Sequence, residues 1–202
     1  MDVEASMKTV SGLLATAAIV LTACSMGQSA VPTHTPSPRP TVTETQALPT
    51  PSSPGNSINW ENLQVTMDQT EVTGVYTTEF GSTRTPPAGA KFLWVHVGMK
   101  NTGPVQMEVP LPEHYSVLYA AAELKPTYGH RAGYTDYTTL GPLIFPDQQL
   151  DGWLRFDIPA SAGRDELLFV FIPESAQVGA SYESPNYPYA QDKPTYVWNV
   201  EP

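Results

Sequence analysis

Beyond residue 57 the chain alternates apolar and polar positions with a period of two, and almost nowhere with the period of a helix. Leu63, Val65 and Met67 alternate with polar residues, and 72–76 forms a second short extended run. Residues 92–99 predict the strongest strand: Leu93, Val95, Val97 and Met99 share one face, while Phe92, Trp94 and His96 point the other way. Further strands are predicted over 114–119, 150–158, 167–172 and 195–200. In 150–158, Leu150, Leu154, Phe156 and Ile158 face inward, and Asp151, Trp153, Arg155 and Asp157 face outward. The run Leu167-Leu168-Phe169-Val170-Phe171-Ile172 has no polar face, which predicts a place at the centre of a sheet. Turns are marked by Asn101-Thr102-Gly103-Pro104, Gly141-Pro142 and Ser161-Ala162-Gly163. About seven strands in residues 58–202 predict one all-β domain, a two-sheet sandwich.

The first 57 residues follow another pattern. From Met7-Lys8 an uncharged stretch rich in Leu, Ala, Val and Ile runs over 9–23, too short for the roughly 20 residues a spanning helix needs. A basic start, an apolar stretch and small residues at a cleavage point predict a signal peptide over 1–23. Asp2 and Glu4, ahead of Lys8, fit a translation start at Met7. Leu21-Thr22-Ala23-Cys24 resembles the lipobox of bacterial lipoproteins. That resemblance implies a diacylglyceryl group on the Cys24 thiol and cleavage before it; two acyl chains suffice for stable attachment. The alternatives are an uncleaved anchor, or an ordinary secretory signal with a chance cysteine. Residues 24–57 are dominated by Pro, Thr and Ser, with too few apolar groups to offset the entropy of ordering, which predicts a disordered stalk.

Charge narrows the partners. The 202 residues have a formal charge of −10, and only Asp2, Glu4, Lys8, Arg39 and Glu44 lie before residue 58. The remaining 17 acids and 8 bases give the domain about −9, which argues against nucleic acid and anionic lipid surfaces. Cys24 is the only cysteine, so no intrachain disulfide can form, and the lipidated thiol is lost as a nucleophile or metal ligand.

With the strands placed, Lys91-Phe-Leu-Trp-Val-His-Val-Gly-Met-Lys-Asn101-Thr102-Gly103 resembles the strand and Asn-Thr-Gly turn of the immunoprotective-extracellular, immunoglobulin-like domains of bacterial lipoproteins. Phe145-Pro146-Asp147, then Gly152-Trp-Leu-Arg-Phe-Asp-Ile-Pro159 and the apolar strand from Leu167, continue the match over roughly 63–172. Asp147 stands where that family often has Gly, and Ala120-Ala121-Ala122 replaces its usual Asp-Gly turn. The resemblance implies an immunoglobulin-like sandwich of about seven to eight strands outside the membrane, and brings no established activity.

Candidate chemistry is sparse. His96, Met99, Met107 and His114 suggest an exported copper carrier, but residues 96 and 99 of one strand face opposite sides, and His-x-Met clusters are missing. Asp147, Asp151 and Asp157 lack the Asp-x-Asp-x-Asp-Gly loop of a calcium site. Neither Gly-x-Ser-x-Gly nor His-Glu-x-x-His occurs, so no catalytic residue, metal or cofactor is expected. The distinctive stretch is aromatic: Tyr128-Gly-His130-Arg131-Ala-Gly-Tyr134-Thr-Asp-Tyr137, with a second Tyr-rich segment at Tyr182, Tyr187 and Tyr189. Binding loops use this composition, because Tyr gives large contact area at little entropic cost. Two readings stand side by side: Tyr128, His130, Arg131, Tyr134 and Tyr137 bind a ligand, or the tyrosines pack over the ends of the sandwich.

The expected protein is thus a non-enzymatic lipoprotein, held on the outside of the cell membrane by Cys24, that binds an unknown protein or glycan. Outer-membrane sorting stays open, since Ser25 supplies no aspartate-type retention signal. An exported copper carrier and a purely structural envelope module are the alternatives. Cys24→Ala should yield unlipidated protein, released or held as precursor; unchanged partitioning into detergent would overturn the anchor.

Overall fold

A computed structural model describes residues 48–174 and 193–201; Cys24, the predicted signal peptide, most of the predicted stalk and Tyr182, Tyr187 and Tyr189 lie outside them. The strands, in chain order, are β1 (Ser57–Trp60), β2 (Leu63–Thr73), β3 (Tyr76–Thr77), β4 (Thr83–Arg84), β5 (Ala90–Asn101) and β6 (Met107–Glu108). They continue as β7 (Tyr115–Tyr119), β8 (Ala122–Leu124), β9 (Leu143–Ile144), β10 (Gln149–Pro159), β11 (Leu168–Phe171) and β12 (Tyr196–Asn199). Two four-stranded antiparallel sheets, ordered β1-β2-β5-β10 and β12-β11-β7-β8, form the sandwich, with β3-β4 and β6-β9 as small ribbons. The fold is the all-β, two-sheet sandwich that the alternation implies, and it is immunoglobulin-like, as the resemblance implies. The apolar run places β11 between β12 and β7, at the interior of its sheet.

Between the sheets lie Leu63, Val65, Met67, Leu93, Val95, Val97, Leu154, Phe156 and Ile158 from one side, and Tyr115, Val117, Phe169, Phe171 and Trp198 from the other. Each such aliphatic or Phe side chain contributes about 1.5–3 kcal/mol on burial. Tyr115 stacks on Phe171 at 4.8 Å, which joins neighbouring strands across the centre of the core.

Two of the predicted runs are one strand. The register of β2 against β5 shifts between Met67 and Gln69, a bulge at Asp68. An extra residue reverses the parity of the pleat. Odd positions Leu63, Val65 and Met67 face the core before it, and even-numbered Val72 packs against the same core after it. Period-two reading breaks there, so 63–67 and 72–76 look separate although Val72 and Thr73 continue β2.

The domain also begins earlier than residue 58. The Ser52 N–H donates to Val197 O (2.8 Å), Asn199 N–H donates to Ser52 O (2.9 Å), and Gly55 N–H donates to Met67 O (2.8 Å). Leu48 packs against the cluster of Leu118, Val170, Ile172 and Val197 on the outer side of the second sheet. Residues 48–57 therefore belong to the fold rather than to the stalk. Backbone hydrogen bonds hold them, which a Pro- and Ser-rich composition does not reveal.

Turns carry the family-like features. Asn101 is fully buried; its amide donates to Val105 O (2.7 Å) and Ile144 O (3.0 Å), and its Oδ1 accepts from Gly103 N (2.9 Å). Asp147 has φ of +61°, the left-handed conformation where glycine is free of strain. Ala120 and Ala121 have φ of +47° and +66° inside the two-residue turn between paired Tyr119 and Ala122. That hairpin forms with two alanines where Asn-Gly or Asp-Gly would be unstrained, at about 1 kcal/mol each. Asn101→Ala should lower unfolding stability by about 3 kcal/mol, since it strands two buried carbonyls and an N–H. Denaturant titration checks this; a loss under about 1 kcal/mol would show that the backbone alone holds the turn.

Candidate functional site

Strand β5 is apolar on both faces over Phe92–Val95. Phe92 and Trp94 point away from the core, as expected, but they are buried. With Tyr76 they form a second cluster against which Tyr134 and Trp153 pack. The cover is the 127–137 loop, which lies along β10, the edge of the first sheet. Thr127 N–H donates to Arg155 O (2.7 Å), and Trp153 N–H donates to Thr135 O (2.8 Å). A Cβ on Gly152 would lie 2.8 Å from Tyr137 Cα, so only glycine admits the Tyr137–Thr139 turn there. Asp136 caps that turn, its Oδ1 accepting from Thr138 N (2.8 Å) and Thr138 Oγ1 (2.6 Å).

The five candidate residues separate into two groups. Tyr137 is 2 % exposed and belongs to the main core: its hydroxyl donates to Pro110 O (2.8 Å), and its ring meets Tyr115 edge-on at 5.3 Å. Tyr137 therefore offers a ligand almost no surface, and replacing it with Ala would damage the fold. Tyr134 stacks on Trp153 at 4.1 Å and meets Trp94 edge-on at 5.6 Å. Arg131 donates to both oxygens of Glu71 (2.8 and 2.9 Å) and lies 4.2 Å over the Tyr134 ring; the Tyr134 hydroxyl donates to Glu71 as well. These contacts engage Arg131 and Tyr134 in fastening the loop. Tyr128, 77 % exposed, and His130, whose Nδ1 is 3.1 Å from Asp136 Oδ2, remain at the surface.

Two adjoining cavities open beside Tyr128. One, of about 270 Å³, is lined by Lys125, Thr127, Asp136 and Trp153, among others; the second, of about 520 Å³, by Phe80, Ser82, Arg84, Thr85 and Asp157, among others. Tyr128, Gly129 and Arg155 line both. Arg155 forms the shared floor: its Nη1 donates to the Tyr76 hydroxyl (2.8 Å), its Nε donates to Thr127 Oγ1 (2.9 Å), and its guanidinium lies 5.1 Å from the Phe92 ring. Phe80, 87 % exposed, caps the β3–β4 hairpin. Sequence reading passed over it because β3 and β4 have two residues each and no alternation. The available signal was an apolar residue before glycine within a polar stretch, Glu79-Phe80-Gly81-Ser82.

The suggested metal ligands are dispersed. Met99 and Met107 are buried in the core, and Met107 sits in β6 paired with Ile144. His96 lies on the opposite face, its Nδ1 2.7 Å from Asp68 and its Nε2 3.2 Å from Asp151. Its two carboxylates are therefore on opposite sides of the ring. His114 is buried, and that burial pushes its imidazole down to about 4. Asp151 faces His96, and Asp157 lies within reach of Thr127 and Arg155. Among the described residues no three His, Cys, Asp or Glu side chains are placed to hold a metal ion.

No protein-family model matches the chain, and no curated protein sequence does. Solved structures are similar in shape. The yjhA protein from Bacillus subtilis aligns with a TM-score of 0.51 at 16 % identity, over 73 % of this chain and 97 % of that one. An uncharacterized beta-sandwich protein from Clostridium difficile 630 gives 0.41 at 10 % identity, over 78 % of this chain and 100 % of its own. The secreted protein MPT63 from Mycobacterium tuberculosis gives 0.42 at 10 % identity, over 76 % and 99 %. The likeness to yjhA shows a shared fold and nothing of activity.

The fastening of the loop has a pH signature. Burial, and next the hydrogen bond to Glu71, push the Tyr134 phenol up to about 12. Arg131's hydrogen bond holds the Glu71 carboxyl below its usual value, and the same bond raises the Arg131 guanidinium. A phenol raised in the fold contributes stability fully below about pH 10 and loses it as pH rises toward 12. Glu71 acts in the opposite sense, its contribution fading as pH falls through its depressed value. The phenolate absorbance lost in Tyr134→Phe should titrate near pH 12, and Glu71→Gln should lower that midpoint. An ordinary midpoint near 10 in the unmutated chain would mean that the loop is not seated on the sheet.

Proposed function

We propose that the protein is an exported lipoprotein, diacylated at Cys24, whose sandwich serves as a non-catalytic binding module for a protein or glycan partner. The apolar stretch over 9–23 and the Leu-Thr-Ala-Cys tetrad support export and a lipid anchor on the outer side of the cell membrane. The observation that carries the binding reading is the pair of exposed aromatics, Phe80 and Tyr128, that line one cavity over the Arg155 floor. Exposed aromatic groups beside a concave surface with a few polar side chains are the usual make-up of a recognition site. The packing of Tyr134 and Tyr137 favours a structural role for that half of the loop, so the binding face is reassigned to Tyr128, His130 and the β3–β4 hairpin.

A photo-crosslinking amino acid at Phe80 or Tyr128 of the full chain, expressed in its host, should capture one and the same envelope component from both positions. The same residue at Val105, also exposed but in the Asn101 turn, should not capture it. Equal capture from all three positions, or none, would overturn the groove as the binding face.

A further inference from the structure

We infer that this groove takes an uncharged oligosaccharide, with sugar rings stacked on Phe80 and Tyr128. The inference rests on the groove being the binding face, and three observations give it a chemical class.

The first is preorganisation. Phe80 stands on a turn closed by Thr78 N–H to Ser82 O (2.8 Å), Ser82 N–H to Thr78 Oγ1 (3.1 Å) and Gly81 N–H to Thr78 O (2.9 Å). Gly81 supplies the positive φ, +79°, that this turn requires. The turn fixes the backbone that carries the ring, so little backbone entropy is lost when a flat apolar surface covers the phenyl group, and the apolar face of a pyranose is such a surface.

The second is charge. In an acidic protein the groove is mixed: Arg84, Arg155 and Lys125 line it together with Asp157, Asp136 and Glu113, and Glu79 lies on the same hairpin tip as Phe80. An anionic ligand meets the carboxylates and a cationic one meets the guanidinium groups. Sugar hydroxyls both donate and accept, so they use either sign, together with the Ser82 and Thr85 hydroxyls.

The third is the lack of a strand edge to extend. Thr127 and Thr135 occupy β10, and Ala132 N–H donates to Thr77 O (2.9 Å) beside β3. Beside the groove that leaves two-residue β4 and three-residue β8, both too short to pair along an extended peptide, whose main-chain bonds would otherwise supply affinity. Recognition therefore falls to side chains, and the larger cavity, of about 520 Å³, lies within the range usual for small-ligand sites.

Saturation-transfer NMR of the full chain with chitotriose, mannotriose, trigalacturonate and a tetra-alanine peptide decides the matter. At least one neutral trisaccharide should receive saturation on its ring protons. Phe80→Ala and Tyr128→Ala should each weaken its Kd by about tenfold, roughly 1.4 kcal/mol, and Val105→Ala should leave it unchanged. All three side chains are exposed, so the variants keep the fold. Tighter binding of trigalacturonate or of the peptide, or no transfer to either neutral sugar, would overturn the assignment. If crosslinking from Phe80 and Tyr128 still captures a protein, the groove stands and only the glycan falls; if both experiments are blank, both readings fall.

Discussion

A central strand whose first half is apolar on both faces is the constraint on which this structure depends. The inner face of β5 is filled by Leu93, Val95, Val97 and Met99, and the second sheet covers it. Its outer face carries Phe92 and Trp94, where an antiparallel sheet of this kind ordinarily meets water. Leaving both rings exposed would forfeit several kcal/mol of burial. A loop must therefore lie over that face, and the 127–137 segment does so. The same segment pairs with the β10 edge, which removes an exposed row of backbone donors and acceptors. It then sends Tyr137 into the main core, so the cover is anchored on two sides of the sheet.

Electrostatics orient this cover more than they stabilise it. The Glu71 and Arg131 side chains are each partly exposed, so their bidentate pair is worth modestly more than a surface salt bridge. Its consequence is geometric: the guanidinium sits over the Tyr134 ring, and Tyr134 stacks on Trp153. The loop is thereby divided. Arg131, Tyr134 and Tyr137 are packed, while Tyr128 and His130 are left at the rim, next to a hairpin that projects Phe80. A rigid base with a few projecting groups is the arrangement in which sandwich loops serve recognition.

Departures from regular geometry occur where tertiary contacts overrule local preference. The bulge at Asp68 turns that carboxylate toward His96 and lets Val72 rejoin the core. Ala120 and Ala121 hold left-handed conformations because β7 and β8 must meet at Tyr119 and Ala122. The strained turn is short, and pairing on both sides of it carries the cost. Asn101 shows the opposite case, a polar side chain whose hydrogen bonds are all satisfied within the fold and which fixes a turn at the end of β5.

The amino-acid sequence alone determined the all-β class, the long strands and their inward faces, since each strand writes its burial into alternate positions. It marked the central place of β11 through an unbroken apolar run, and the Asn-Thr-Gly turn through residues that have a local conformational preference. It left the division of the tyrosines open: Tyr128 and Tyr137 have the same side chain in the same loop, yet one is at the surface and the other is in the core. Only tertiary structure decided that, because the partners of Tyr137 are Pro110 and Tyr115, remote in sequence. The same holds for Phe80, Arg84 and Arg155, which share a groove although more than 70 positions separate the first from the last. Local patterns report what a residue does within its own strand; a site is made by which strands, loops and edges the packed sheets bring side by side.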